Sequence, residues 1–164
     1  PENFVPLSDE LCHLESYFSI ERIRFRDQIT FEIDIAPGLY SLPIPKFVLQ
    51  PIVENSLIHA FKRISNTDSA IRITGTIISD QKLILYVSDN GIGMEPNLVE
   101  ALNHKLAEAG AASMIQAKES IGLTNVHQRL VNCCGAEYGL TITSHPGEGT
   151  CVAISLPLSP CTDP

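Results

Sequence analysis

Residues 70–78 and 82–88 constrain the fold more than any other part of this 164-residue chain. Both runs are rich in Ile, Leu, Val and Thr, and only Ser79, Asp80 and Gln81 separate them. A connection that short between two strand-forming runs reads as a hairpin. An antiparallel pair therefore sits in the middle of the chain, and the flanking elements must cover its apolar face.

Those elements are legible from periodicity. Leu7, Leu11, Leu14 and Phe18 recur at i, i+4, i+7 and i+11, with Ile23 continuing roughly the same face. They predict a helix over 7–24 with Ser8 or Asp9 near its start. Phe31, Ile33 and Ile35 alternate with Glu32 and Asp34 up to the turn signal Pro37-Gly38, which predicts a strand. Pro43 and Pro45 introduce a second helix over 46–61, and Pro51 inside it is expected to cost a hydrogen bond and bend it. After the hairpin come a Gly-rich loop at 89–94, a helix over 95–108 and the small-residue stretch 109–113. A helix then opens at Gly122 and runs to Cys133, with Leu123, Val126, Leu130 and Val131 as its apolar face. Strands at 140–144 and 150–156 flank His145-Pro146-Gly147-Glu148-Gly149. This order predicts an α+β domain, with helices packed on one face of a mixed, mainly antiparallel sheet.

Composition narrows the function. Hydrophobic content of 44% against 18% charged residues suits a single domain with a real core. A net charge of −8 without a basic stripe excludes a general nucleic-acid binder. It does not exclude a nucleotide, which backbone amides, a helix N-terminus and a metal can hold. The five cysteines (Cys12, Cys133, Cys134, Cys151, Cys161) are odd in number and show no C-x-x-C spacing. Neither a zinc site nor a disulfide framework is expected, and a reducing, cytoplasmic setting is. No apolar run of about 18 or more residues and no signal peptide are present, so a soluble chain is expected. It begins without Met, and a piece of a longer protein is expected.

Candidate chemistry lies in four places. Glu54-Asn55 puts a carboxylate and a carboxamide in an apolar helical segment, where unpartnered burial costs several kcal/mol. Asn oxygen suits a hard cation such as Mg²⁺, and a neighbouring carboxylate can orient or deprotonate a nucleophile. The alternative is a helix edge with two residues in solvent. Ser88-Asp89-Asn90-Gly91-Ile92-Gly93-Met94 follows a strand, and its two glycines let backbone approach a flat ligand. Asp89 can accept from an exocyclic amine such as that of adenine, although Asp-Asn-Gly is also ordinary turn chemistry. Gly122 stands where a helix begins, and helix N-termini suit phosphates. Pro146-Gly147-Glu148-Gly149-Thr150 is again turn chemistry, with a hydroxyl on Thr150. Between Met94 and Ser120 lies a candidate lid, whose second half, 110–120, lacks an apolar period.

In this order the four resemble the nucleotide-binding domain of the GHKL ATPase superfamily: helix Glu54-Asn55, strand-Asp89-x-Gly91-x-Gly93, Gly122-Leu123-x-Asn125-Val126, and Pro146-Gly147-x-Gly149-Thr150. Within it the chain resembles the LytS-type sensor histidine kinases. The marks are Leu49-Gln50-Pro51-Ile52-Val53-Glu54-Asn55, Gly122-Leu123-Thr124-Asn125-Val126-His127-Gln128-Arg129-Leu130, and Tyr17-x-x-Ile20-Glu21-x-x-Arg24-Phe25.

The resemblance implies the two-layer α/β sandwich of that superfamily (the Bergerat fold). It implies ATP and Mg²⁺ as ligands, residues 27–160 as the ATP-binding domain, and residues 1–26 as the dimerisation side. Asn55 would ligate Mg²⁺ and Glu54 would assist the histidine nucleophile. Asp89 would bind the adenine amino group, Gly91, Ile92, Gly93 and Met94 would line the base and the lid's hinge, and Thr150 would sit near the base. Gly122 and Leu123 would bring amides to the phosphates. Many relatives carry Lys where Ile58 stands, so His59, Lys62 or Arg63 would have to supply that charge. Ser120 replaces a common glycine, which would stiffen the lid's hinge. Pro51 is Asn in other histidine-kinase classes.

No His-Phe-x-x-Asn-type acceptor motif is present, and His13, His104, His127 and His145 read as surface or capping residues. The resemblance therefore implies a protein-histidine kinase domain of a two-component system. Its phosphoacceptor histidine would lie upstream of Pro1, with a dimerising helix, a homodimer, a response-regulator partner and a membrane-bound sensor that keeps this domain cytoplasmic. The alternatives are an ATP-hydrolysing conformational machine of the same superfamily and a non-catalytic nucleotide-sensing module.

Overall fold

The computed structural model describes residues 3–61, 68–109 and 121–159. In chain order they form β1 (Phe4–Pro6), α1 (Leu7–Arg24), β2 (Ile29–Asp34), a 3-10 turn (Pro37–Leu39), β3 (Pro43–Pro45) and α2 (Leu49–His59). Then follow β4 (Ser69–Ser79), β5 (Lys82–Asp89), α3 (Pro96–Ala109), α4 (Ile121–Cys134), β6 (Gly139–His145) and β7 (Gly149–Pro157). The main sheet has the order β2-β4-β5-β7-β6. Only β2 and β4 run parallel; the other pairs are antiparallel, including the expected β4–β5 hairpin. β1 and β3 form a separate antiparallel pair.

Strand alternation assigns the faces. Ile71 and Ile73 of β4, Leu83, Leu85 and Val87 of β5, Val152, Ile154 and Leu156 of β7, and Leu140 and Ile142 of β6 are all buried. The opposite face leaves Thr30, Glu32, Arg72, Thr141 and Thr143 in solvent. There Arg72 bridges Glu32 at 3.4 Å and Asp34 at 2.7 Å across the β2–β4 seam.

The expected apolar stripe of α1 is buried at Leu7, Leu11, Leu14 and Phe18, and Phe18 stacks on Phe31 of β2 with ring centroids 4.1 Å apart. Residues 7–24 thus share one core with the sheet. Ile23 does not continue the stripe and is 81% exposed. Five residues beyond Phe18 turn a helix by about 500°, roughly 140° off the buried line, whereas Glu21 falls within about 60° of it. Glu21 is accordingly the buried residue. The first α1 amides are satisfied by backbone rather than by Ser8 or Asp9: Leu7 N–H donates to Leu42 O and Ser8 N–H to Tyr40 O.

Helix α2 differs from its expected course in two respects. Pro43–Pro45 does not introduce it but forms β3, an edge pairing that Pro tolerates. Pro51 is the third residue of α2, where an N–H has no intrahelical partner, so it costs no ladder hydrogen bond. The helix starts at Leu49 rather than Lys46 because Phe47 sits at φ 59°, off the helical path. That conformation costs a non-glycine residue about 1–3 kcal/mol and must be held by its surroundings. The holder is Glu10 of α1, itself buried: it accepts from Phe47 N at 2.7 Å, Val48 N at 3.0 Å and Leu49 N at 3.3 Å. A carboxylate there also complements the positive end of the helix dipole.

Candidate functional site

One side of α2 is core, with Ile52 and Val53 fully buried and Leu57 nearly so. Glu54 and Asn55 are half-buried rather than fully solvated. Glu54 Oε1 accepts Gln50 Nε2 at 2.8 Å, one turn earlier. The Tyr17 phenol of α1 is pushed up to about 12 by burial and by the carboxylates of Glu21 and Glu54 beside it. No hydrogen bond to the carboxamide of Asn55 is made among the described residues. Ile58 is 63% exposed and His59 half-buried at the helix end. Ser56, which sequence reasoning passed over, is buried and donates its hydroxyl to Asp89. It follows Ile52 by four residues and Val53 by three, and that spacing places it on the buried stripe.

Asp89 is the last residue of β5 and continues the inward row Leu83, Leu85, Val87. Register places Thr150 opposite it on β7, and Ser144 opposite Thr150 on β6. Polar side chains thus end the apolar rows at one edge of the sheet. Burial raises the Asp89 pKa, and hydrogen bonds from Gly91 N–H, Ser56 and Thr150 N–H oppose that shift. Gly91 N and Thr150 N donate to Oδ1 at 3.0 and 3.2 Å. A carboxylate offers about four lone-pair sites, so acceptor capacity is left for a ligand. Ser144, also missed in the sequence, donates to Gly149 O at 2.7 Å and accepts Met94 N at 2.9 Å. Its one hydrogen is thereby committed, so Thr150 Oγ1, 2.9 Å away, is the donor of that pair and keeps free lone pairs.

The loop after Asp89 is bolted to three elements and is not a hairpin turn. Asn90 acts as a surrogate strand residue: its Oδ1 accepts Ala70 N at 2.7 Å and its Nδ2 donates to Asp68 O at 2.6 Å. Ile92 N donates to Ala60 O after α2, and Gly147 N donates to Ile92 O. Both loop glycines stand against backbone. A Cβ on Gly91 would lie 2.3 Å from that of Ala60, and one on Gly93 (φ 67°) would lie 1.9 Å from His145 O. The β6–β7 turn closes with Glu148 N donating to His145 O, Pro146 second and Gly147 at φ 80°, the arrangement of a type II turn.

Helix α4 opens at Ile121, and Gly122 has open space where a side chain would stand. Leu123 is buried beneath it, and Thr124 Oγ1 is buried without a hydrogen-bond partner among the described residues. His127 is neither a surface nor a capping residue. It is half-buried, and its Nδ1 accepts Leu140 N at 3.0 Å, tying α4 to β6. His104 and His145 are exposed, His104 lying 3.5 Å from Glu108. Lys62, Arg63, Ser120 and the lid's second half fall outside the described residues.

An open depression of about 230 Å³ lies at the Asp89 edge, lined by Asp89, Ser144 and Thr150 together with Ser88, Thr143 and Cys151. No α2 residue lines it, and Ser88, Thr143 and Cys151 belong to the outer sheet row, so it is not the space between Asp89 and α2. No helix among the described residues is long and apolar enough to cross a membrane.

Two layers, helices on a five-stranded mixed sheet, with a buried carboxylate ending one of its strands, make this an α/β domain with a candidate binding edge. Residues 45–160 match the family model of histidine kinase-, DNA gyrase B- and HSP90-like ATPases, and the chain belongs to that family. It is 35% identical over 157 residues to the sensor protein LytS of Bacillus subtilis, covering 94% of this chain and 25% of that protein. It is 31% identical over 155 residues to the sensor protein kinase HptS of Staphylococcus aureus, covering 94% of this chain and 28% of that protein. The chain thus spans only about a quarter of the length of these relatives. Among solved structures, the catalytic domain of histidine kinase ThkA superposes with a TM-score of 0.64 at 15% identity, covering 96% of this chain and 97% of that one. The mycobacterial sensor histidine kinase MprB gives 0.60 at 22%, covering 96% and 97%. The fold is that of histidine-kinase catalytic domains, as expected.

Proposed function

We propose that this chain is the ATP-binding catalytic domain of a LytS-type sensor histidine kinase, donating the ATP γ-phosphate to a histidine outside residues 1–164. The observation that carries the reading is the buried Asp89 carboxylate at the end of the sheet, held by the Gly91 and Thr150 amides, with the loop that follows it tied through Ile92 N to Ala60 O just beyond the helix bearing Glu54 and Asn55. The adenine amine donates to the spare acceptor sites of Asp89, with Gly91, Ile92, Gly93, Met94 and the Thr150 hydroxyl around the base. Gly122 and Leu123 offer first-turn amides of α4 to the phosphates, where the Cβ-free face of Gly122 leaves room. The carboxamide oxygen of Asn55 suits Mg²⁺, a hard cation that takes one or two protein ligands plus phosphates and water. When bound, Mg²⁺ supplies charge neutralisation on the phosphates.

Glu54 accepts the proton of the incoming imidazole. Its hydrogen bond from Gln50 fixes the carboxylate, and Tyr17 beside it stays a neutral phenol at physiological pH. His59, at the end of the same helix, offers an imidazole N–H donor to the phosphates where Ile58 offers none. Residues 27–160 carry the ATP-binding contacts, and residues 1–26, whose helix α1 packs into the same core, lead to the dimerisation side. The phosphorylated histidine then passes its phosphate to a response regulator, and the whole protein acts as a membrane-anchored homodimer.

The test supplies ATP–Mg²⁺ and a separate histidine-bearing dimerisation fragment. An acid-labile, alkali-stable phosphoryl group on that fragment is the expected product. Glu54→Gln keeps the carbonyl that accepts Gln50, so it should bind ATP normally and transfer at least about 100-fold more slowly. Release of inorganic phosphate with no phosphohistidine would refute the kinase reading in favour of an ATP-hydrolysing machine.

A further inference from the structure

The start of α2 is held from two sides by residues far from the proposed nucleotide contacts. Val48, at the N-cap position, offers no side-chain acceptor, and the amides of Phe47, Val48 and Leu49 are taken by the Glu10 carboxylate of α1. From α4, Arg129 NH1 donates to Lys46 O at 2.8 Å and Phe47 O at 3.1 Å. In the Lys46–Phe47–Val48 turn the Phe47 and Val48 amides are therefore fixed by one helix and the Lys46 and Phe47 carbonyls by another, while Lys46 N–H donates to Asn3 O. Phe47 is 61% exposed and held at φ 59°, so burial of its own side chain does not account for the conformation.

We propose that Glu10 and Arg129 are positioning residues: together they hold this turn and set where α2, with Glu54 and Asn55, begins relative to α4, with Gly122. The inference rests on the reading of α2 and α4 as two walls of the ATP site. Arg129 lies seven residues beyond Gly122, about 10 Å along the same helix. The α4 that offers amides to the phosphates is thereby tied through one guanidinium to the helix that carries the metal ligand. Loss of the guanidinium frees both carbonyls and lets Phe47 relax to a negative φ. That re-aims the first turn of α2 without removing a group that touches nucleotide.

The experiment compares the 164-residue chain with Arg129→Met, Arg129→Lys and Glu10→Gln in two measurements. The first is the amide NMR spectrum without nucleotide. The second is ATP–Mg²⁺ affinity by calorimetry. Arg129→Met should shift the Glu54 and Asn55 amides, distant in sequence from the substitution, and weaken ATP–Mg²⁺ about tenfold. Arg129→Lys, whose ammonium can still donate to two carbonyls, should recover most of both effects, and Glu10→Gln should fall between. A merely structural role would lower the melting temperature of all three variants without rescue by Lys.

Unchanged Glu54 and Asn55 amides in a folded Arg129→Met chain would overturn the proposal, as would shifted amides with native affinity. If Arg129→Met does not fold, Arg129→Lys and Glu10→Gln decide the matter by the same two measurements. If the unmodified chain binds no nucleotide, the ATP reading fails by itself. The spectra then still support the clamp if the α2 amides move and overturn it if they do not.

Discussion

Replacing Asp89 by Asn turns one oxygen of a buried carboxylate into an NH2 group and leaves the other a carbonyl. The carbonyl can keep both backbone donors now on Oδ1, Gly91 N at 3.0 Å and Thr150 N at 3.2 Å. Ser56, which donates to the carboxylate, can also accept from the new NH2, because a hydroxyl does both. Since burial already disfavours charge at this position, the neutral amide should leave nucleotide-free stability unchanged or raise it.

Binding should suffer instead. Adenine presents an amine donor where guanine presents a carbonyl acceptor. The NH2 of Asn faces that amine donor to donor, and a hydrogen bond to a charged group is lost, a loss of ~1.5–3 kcal/mol. At ~1.4 kcal/mol per tenfold, ATP–Mg²⁺ affinity should fall roughly 10- to 150-fold. GTP should lose less, because its carbonyl can accept from the new NH2. Calorimetry with both nucleotides, beside thermal melts without them, reads the three quantities separately. A parallel loss of ATP and GTP, or ATP affinity within about twofold of native, would refute the assignment of Asp89 to the adenine amine. Acidification gives a second arm. An amine donor favours ionised Asp89, so ATP affinity should fall as pH drops through the raised Asp89 pKa, and Asp89→Asn should flatten that limb.

Two further outcomes concern stability. Gly147 (φ 80°) has nothing within 4 Å of an added Cβ, whereas one on Gly149 (φ 91°) would lie 1.9 Å from Asp89 O. Gly147→Ala should therefore cost only about 1–2 kcal/mol of backbone strain, and Gly149→Ala about 2–6 kcal/mol with repacking added, as urea denaturation would show. Burial lowers the His127 pKa below 6.5, and Leu140 N–H occupies the Nδ1 lone pair. Between those pKa values the unfolded chain binds more protons, so stability present above pH 6.5 is lost as pH falls through the folded value. The wild-type melting temperature should drop on acidification more steeply than that of His127→Gln.

How much of this was legible depended on whether the signal was local. Period two alone places Asp89 behind Leu83, Leu85 and Val87, and Ser144 behind Leu140 and Ile142, so the inward direction of both follows from alternation. Period 3.6 does the same for Ser56, which follows Ile52 and Val53 on the buried stripe beside the more conspicuous Glu54-Asn55 pair. The bounds of α1 are legible too, but its stripe ends before Ile23, because five residues beyond Phe18 rotate a helix well off the buried face. Asn90 looked like turn chemistry because its use as a strand surrogate depends on β4 lying beside it, which only the sheet order supplies.

The rest was carried by contacts between residues far apart in sequence. Helix α2 was expected to begin at Lys46, since nothing within the helix marks a later start. Its true start is set by Glu10, 37 to 39 residues away, and by Arg129, 82 and 83 residues away. Local propensity cannot report such a cap, because the acceptor is absent from the segment it caps. The same separation has a functional consequence. Glu54 and Asn55 ride on a helix whose starting point is fixed elsewhere, so substitutions at Glu10 or Arg129 should change the site without removing any side chain proposed to touch nucleotide.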